Sequence, residues 1–114
     1  MAENSATVFD REALLERVMG DADLAELVVT TFLDDMPHQL LVLAEALESG
    51  NIEATGNQAH RIKGASASVG GEAMRAVAAA IETAARASDL GKVKTLRPQL
   101  EVQFHQLKAA VAAN

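Results

Sequence analysis

A histidine stands inside a stretch of mostly small residues, NQAHRIKGASASVGG, at positions 57–71. An imidazole nitrogen can act as a nucleophile, a proton carrier or a metal ligand. His60 has Gly56 four residues before it, Gly64 four residues after it and Lys63 three residues after it. On a helix, residues at these spacings share one face. The pattern therefore predicts an imidazole with open space around it and an ammonium group beside it.

The two glycines need a reason, because each glycine inside a helix costs about 0.5–1 kcal/mol relative to alanine. One possible reason is that Gly56 and Gly64 give room to a bulky group on the ring. A phosphoryl group fits, since a nucleophilic ring nitrogen can carry it and Lys63, solvated until then, would offset its charge. Two alternatives stay open at the level of the sequence. The glycines could let a neighbouring helix approach closely, or His60 could be an ordinary histidine at the core boundary.

Other kinds of site find less support. His38, His60 and His105 fall in three predicted helices without the spacing of zinc ligands, and no HExxH motif occurs. Zero cysteines exclude disulfides and thiolate chemistry. A Ser–His–Asp arrangement is compatible with the spacing, but the chain has no nucleophile elbow and no glycine-rich phosphate loop. We expect no metal, cofactor or nucleotide site in this chain.

Composition and charge narrow the class of protein. The 114 residues suffice for one domain, and 49% are hydrophobic, chiefly Ala, Leu and Val, which favours helices. No apolar run approaches the roughly 18 residues of a membrane span, and no signal peptide is evident at the start. The net charge of −6 argues against nucleic acid as a partner. We expect a cytoplasmic protein with no membrane and no nucleic-acid partner.

Charge is distributed unevenly along the chain. Residues 1–55 carry a net charge of −10, whereas residues 56–86 carry +2. His60 thus lies in a locally basic part of an acidic protein, although chance placement of a few surface charges would give the same numbers.

Local signals predict five helices. Asp10 can cap a short first helix that runs to about Met19, and Asp21 and Asn51 can cap the second and third helices. Apolar or small residues recur every three or four positions in each longer helix, which predicts a buried stripe. The stripes contain Ala25, Val29, Phe32, Met36, Leu40, Leu43 and Leu47; Ile52, Thr55, Ala59, Ile62, Ser66 and Val69; Met74, Val77, Ala78, Ile81 and Ala85; and Val93, Leu96, Leu100, Phe104, Leu107 and Val111.

The predicted connections between the long helices are short, so neighbouring helices should run antiparallel. Pro37 and Pro98 fall inside two of these helices and are expected to bend them. The sequence therefore predicts an all-α fold, an up-down antiparallel four-helix bundle with a short additional N-terminal helix that closes one end.

The residues around His60 carry a resemblance to a known family. The segment AHRIKGASASVGG, followed by AIE at 80–82, resembles the signature of histidine-containing phosphotransfer (HPt) domains, the modules of His-to-Asp phosphorelays. FLDDMPHQLLVLAEALESGN resembles the family's long second helix. The likeness covers about residues 8–112 of a single domain spanning 1–114. It implies a phosphorelay intermediate that accepts a phosphoryl group on His60 from one receiver-domain aspartate and passes it to another.

The resemblance also implies roles for the neighbours of His60. Lys63 matches the lysine that steadies the phosphoryl group, and Gly64 matches the glycine that keeps the ring accessible. Glu82 matches a position near the imidazole on the neighbouring helix. Arg86 matches a frequent basic residue at that surface, and it could also pair with Glu82. The chain departs from the family pattern at Ala65, Gly71 and Ala78, which look like packing variations.

The implied partners are response-regulator receiver domains, a hybrid histidine kinase, or both. The receiver would supply an acidic pocket and Mg²⁺, while this chain, expected to be a monomer, would bind no ATP and no cofactor of its own. Leu24 and Val28 lie outside the main stripe of the second helix. They could belong to a docking patch or pack against the first helix.

Two further identities remain open. The chain could be a non-catalytic bundle of the same fold that binds a partner without carrying phosphate. It could also be the terminal domain of a larger hybrid kinase.

Overall fold

The structure is a computed structural model that describes residues 6–113. Within this range the chain forms five helices and no strand, which confirms the all-α fold class. The helices are α1 (Arg11–Arg17), α2 (Ala22–Glu48), α3 (Ile52–Ser68), α4 (Glu72–Arg86) and α5 (Leu90–Ala113).

Side-chain caps begin the first three helices at the predicted residues. Asp10, Asp21 and Asn51 each accept the backbone N–H three positions ahead, at 3.0 Å. Such a bond satisfies one of the free N–H groups at a helix start. The first helix ends at Arg17, two residues before the predicted end at about Met19. Met19 and Gly20 have φ values of 58° and 79°, which a right-handed helix cannot include.

One apolar core joins the four long helices. Each contributes a side chain with 0% exposure, namely Leu43, Ile62, Ile81 and Leu100. Connections of three residues, 49–51, 69–71 and 87–89, join these helices, so consecutive ones run antiparallel. The predicted stripes are confirmed except at four edge positions that are only partly buried: Leu40, Ile52, Leu96 and Val111.

The short helix α1 packs over one end of the bundle. Its Leu14, 1% exposed, forms a second apolar cluster with Ala25 and Val29 of α2. The long helices α2 and α5 continue through Pro37 and Pro98. The expected bends at these residues stay predictions.

The turn between α3 and α4 contains two glycines, Gly70 and Gly71, and packing as well as backbone conformation explains them. Gly70 has a φ of 78°, and a Cβ there would collide with the backbone carbonyl of Asp10. The Asp10 N–H donates to the Gly70 carbonyl at 2.8 Å. At Gly71 a Cβ would lie 2.8 Å from Leu107 Cδ2. The turn thereby fixes α1 and α5 against the end of α3.

Gly70→Ala should therefore destabilise the protein more than Gly20→Ala. The two glycines have φ values of 78° and 79°, so the conformational cost of an L side chain, about 1–2 kcal/mol, is common to both. Only the Cβ at position 70 meets backbone, whereas nothing lies within 4 Å of a Cβ at position 20. Urea denaturation of the two variants measures the difference, and equal destabilisation would show that the Asp10 contact yields without cost.

Candidate functional site

His60 stands on the outer face of α3 with its side chain 63% exposed. Its neighbour Ala59 is fully buried, so the helix turns the imidazole away from the core, as the sequence predicts. Nδ1 lies 3.0 Å from Oε2 of Glu82 on α4. An ionised carboxylate only accepts hydrogen bonds, so Nδ1 carries the hydrogen, and in the neutral imidazole the lone pair is on Nε2.

Glu82 is the point at which three basic side chains meet. Lys63 Nζ lies 2.7 Å from Oε1. Oε2 takes the His60 bond and lies 3.4 Å from Nη2 of Arg86. The Glu82 side chain is only 15% exposed. Its pKa lies below the ordinary value of 4.5, chiefly because Lys63 donates a hydrogen bond to it; burial opposes this, and His60 adds to the lowering.

Two predictions about the surroundings of His60 are wrong. Lys63 is not a freely solvated lysine, because its ammonium is already paired with Glu82. Gly56 does not leave open space beside the ring. A Cβ there would lie 3.0 Å from Nη1 of Arg86 and 3.5 Å from Cβ of Ala85. The space beside Gly56 is therefore occupied by α4 and the Arg86 side chain, in keeping with the alternative of a closely approaching neighbouring helix.

Gly64 behaves differently from Gly56. It is exposed, and a Cβ at this position would meet nothing within 4 Å outside its own helix backbone. The space one turn after His60 is therefore open, as the sequence predicts.

Arg86 is held by both helices of the site. Nη1 donates to Asn57 Oδ1 on α3 at 3.1 Å, and Nη2 donates to Glu82 on its own helix at 3.4 Å. The i,i+4 spacing predicted the contact with Glu82. The bond to Asn57 was missed, because it depends on how closely α3 and α4 approach.

A second polar contact that sequence reasoning missed joins α2 to α3. Gln58 is 6% exposed, and its Nε2 donates to the backbone O of Gln39 at 2.9 Å and to Gln39 Oε1 at 2.6 Å. Gln39 Nε2 in turn donates to Asp35 at 3.0 Å. The sequence signal that could have revealed this contact is a long polar side chain, Gln58, directly before the buried Ala59. This contact ties α3 to α2 just ahead of the imidazole.

The other two histidines lie apart from this site. His38 is exposed on α2, and His105 on α5 packs its ring against Phe104 with the centroids 5.7 Å apart. Nowhere in residues 6–113 do three His, Asp or Glu side chains group closely enough to hold a metal ion. No helix in the same range is long and apolar enough to cross a membrane.

Comparison with known proteins adds to this geometry. Residues 27–113 match the profile of the Hpt domain family. The chain belongs to the Hpt domain family. A solved structure, histidine-containing phosphotransfer protein B from Pseudomonas aeruginosa PAO1, matches with a TM-score of 0.85 and 26% identity. The match covers 93% of this chain and 92% of that one.

A curated relative of this Hpt domain is the phosphorelay intermediate protein rdeA of Dictyostelium discoideum. The two are 23% identical over 99 residues, which is 87% of this chain. The chain spans 39% of the length of that relative, so the likeness concerns one part of a longer protein.

The ion pairs of Glu82 predict a pH-dependent stability for this Hpt domain. Because its folded-state pKa is lowered, the carboxylate stabilises the fold above the ordinary value of 4.5, and this stabilisation is lost as the pH falls through the folded-state pKa. Glu82→Gln keeps the shape and removes the charge. We expect it to lower the free energy of unfolding by about 1 kcal/mol at neutral pH and by nothing at a pH well below 4.5.

Urea denaturation of both proteins at the two pH values checks this expectation. Glu101→Gln is the matched control, because Glu101 is half exposed and its i,i+4 pair with Arg97 lies on α5. It should change stability little at either pH. A Glu82→Gln deficit of the same size at both pH values would assign the effect to packing rather than to charge.

Proposed function

We propose that the chain is a phosphorelay intermediate in which Nε2 of His60 accepts a phosphoryl group from a receiver-domain aspartate and passes it to another. The observation that carries this proposal is the hydrogen bond from Nδ1 to Glu82 at 3.0 Å on an otherwise exposed imidazole. It leaves a nucleophilic lone pair on the nitrogen that a partner protein can reach. Membership of the Hpt domain family supports the same function.

The proposed transfer needs no general base, because no proton has to leave the imidazole. The Nε2 lone pair attacks phosphorus, the P–O bond of the aspartyl phosphate breaks, and the receiver carboxylate leaves with that electron pair. An N–P bond forms, and Nδ1 keeps its hydrogen. The positive charge that the ring gains lies against the carboxylate of Glu82. Passing the group to a second aspartate is the reverse reaction, so one site serves both steps.

Lys63 and Gly64 would assist by charge and by space. Phosphoryl transfer has a loose transition state, and positioning and electrostatics supply most of its catalysis. The Lys63 ammonium offsets the phosphoryl charge, while the open side of Gly64 admits the loop that carries the receiver aspartate. The receiver contributes the acidic pocket and Mg²⁺. In this scheme the chain acts as a monomeric carrier and needs no ATP.

The receiver would also contact an apolar patch on α2, which we define as Leu24, Leu27 and Val28. Leu24 and Leu27 are 42% and 61% exposed. Val28 is half-buried, packs against both apolar clusters, and lines a groove that includes Ala65 and Ser68 of α3. Packing and docking are therefore compatible at Val28. The groove includes residues of the α3 turn that follows Gly64, and we expect one partner to cover the patch and the imidazole together.

His60→Gln should abolish phosphate uptake and leave the fold intact, because the replaced side chain is exposed. The measurement is incubation with phosphorylated receivers, followed by acid-labile, alkali-stable label on this chain. His38→Gln and His105→Gln are the matched controls and should accept label normally. If the His60→Gln variant still takes up label, His60 is not the phosphoacceptor. A wild-type chain that binds the receiver and takes no label would favour the non-catalytic alternative.

Gly64→Leu should slow transfer strongly by filling the space beside the ring, and Gly64→Ala should be mild. Since a Cβ at this position meets nothing, the alanine variant should also be more stable by about 0.5–1 kcal/mol. Gly91→Leu, an exposed glycine replaced in the first turn of α5, is the control and should transfer normally. If Gly64→Leu and Gly91→Leu transfer equally fast, the open space at Gly64 is not needed for access to the ring.

A further inference from the structure

The resting site holds more positive charge around Glu82 than one carboxylate can neutralise. Lys63 is the closest cation at 2.7 Å, whereas Arg86 stands at 3.4 Å. This second distance is at the outer limit of a hydrogen bond. Arg86 is therefore a weakly engaged partner of a carboxylate that already has a strong one.

The position of Arg86 is nevertheless defined by α3. Its Nη1 donates to Asn57 Oδ1 at 3.1 Å. The same nitrogen lies 3.0 Å from where a Cβ of residue 56 would be, and Cζ lies 3.4 Å from it. Alanine at position 56 would require the guanidinium to shift by a few tenths of an ångström. Gly56 and Asn57 thus form a seat that keeps the guanidinium beside Glu82.

A phosphoryl group on His60 would change the competition for Lys63. It adds about two negative charges at Nε2, while Nδ1 holds the ring against Glu82. The Lys63 ammonium, on a flexible stem and 32% exposed, would be attracted to the new anion. Its departure would take the nearest cation from a carboxylate that is only 15% exposed. Glu82 would keep the Nδ1 bond to Oε2, but Oε1 would lose its donor. A largely buried carboxylate oxygen without a partner is unfavourable.

We propose that Arg86 is a positioning residue that replaces Lys63 as the ion-pair partner of Glu82 when Lys63 moves to the phosphoryl group. The inference rests on the proposed phosphorylation of His60. The seat formed by Gly56 and Asn57 holds the guanidinium close enough to replace the ammonium after a small movement. Arg86 thereby acts on the phosphoryl group through Glu82 and Lys63, without touching it.

This exchange makes the effect of Arg86 depend on Glu82. Without Arg86, Lys63 stays on Glu82 and the phosphoryl group lacks its counterion. Arg86→Ala should therefore shorten the phosphohistidine half-life several-fold, towards that of Lys63→Ala. In a Glu82→Gln background Lys63 is already released, so adding Arg86→Ala should change nothing. Arg86→Lys should keep part of the effect, because it retains the charge and loses the planar fork.

The experiment uses phosphoramidate, a small donor that needs no receiver. Its N–P bond breaks, ammonia leaves, and the phosphoryl group bonds to Nε2 of His60. The half-life is followed by phosphorus NMR, with circular dichroism as the check on folding. Arg97→Ala is the matched control, an arginine from an exposed i,i+4 pair with Glu101 at 3.0 Å, and it should decay like wild type.

Two results would overturn the exchange: an unchanged half-life in Arg86→Ala, or an equal shortening in the wild-type and Glu82→Gln backgrounds. The second would mean that Arg86 acts directly on the phosphoryl group. Failure of the proposed function shows itself separately. A chain that holds phosphohistidine and exchanges it with no receiver would contradict the relay role, while the half-life comparison would still decide the role of Arg86.

Discussion

The close approach of α3 to α4 is the constraint on which this site depends. At Gly56 the two helices are near enough that a Cβ would lie 3.5 Å from Cβ of Ala85 and 3.0 Å from the Arg86 guanidinium. At this separation a carboxylate on α4 reaches an imidazole on α3 at 3.0 Å. A residue larger than alanine at position 56 would displace the Arg86 guanidinium or force the helices apart. If the helices separated, His60 would lose the bond to Glu82 that fixes its tautomer.

The electrostatics of the site follow from that approach. Glu82 fixes the hydrogen on Nδ1 and also holds the ammonium that the phosphoryl group would need. These two roles conflict, because a carboxylate that binds Lys63 strongly withholds it from a new anion. A second cation that can pair with Glu82 when Lys63 leaves would remove the conflict. The resting structure has one in Arg86, which is bound more closely by Asn57 than by Glu82.

Ion pairs distribute the positive charge of residues 56–86 unevenly in three dimensions. Of the four cations in residues 56–86, Lys63 and Arg86 are paired with Glu82. Arg75 is paired with Glu72 at 2.9 Å. Within residues 6–113 no ion pair involves Arg61, which is exposed. The net charge of these residues therefore stays at +2, with one surplus cation beside Glu82 and one at the exposed Arg61.

The sequence by itself determined the helices, their caps and most of the buried stripes, because capping bonds and helical periodicity are local. It also marked His60 and the open space at Gly64, since both depend only on residues within a turn. It misassigned Gly56 and Lys63 and missed Asn57 and Gln58. Each of these four makes its decisive contact with another helix. Only the tertiary structure decided which side chains meet across α3, α4 and α2, because the separation and rotation of packed helices depend on the whole core.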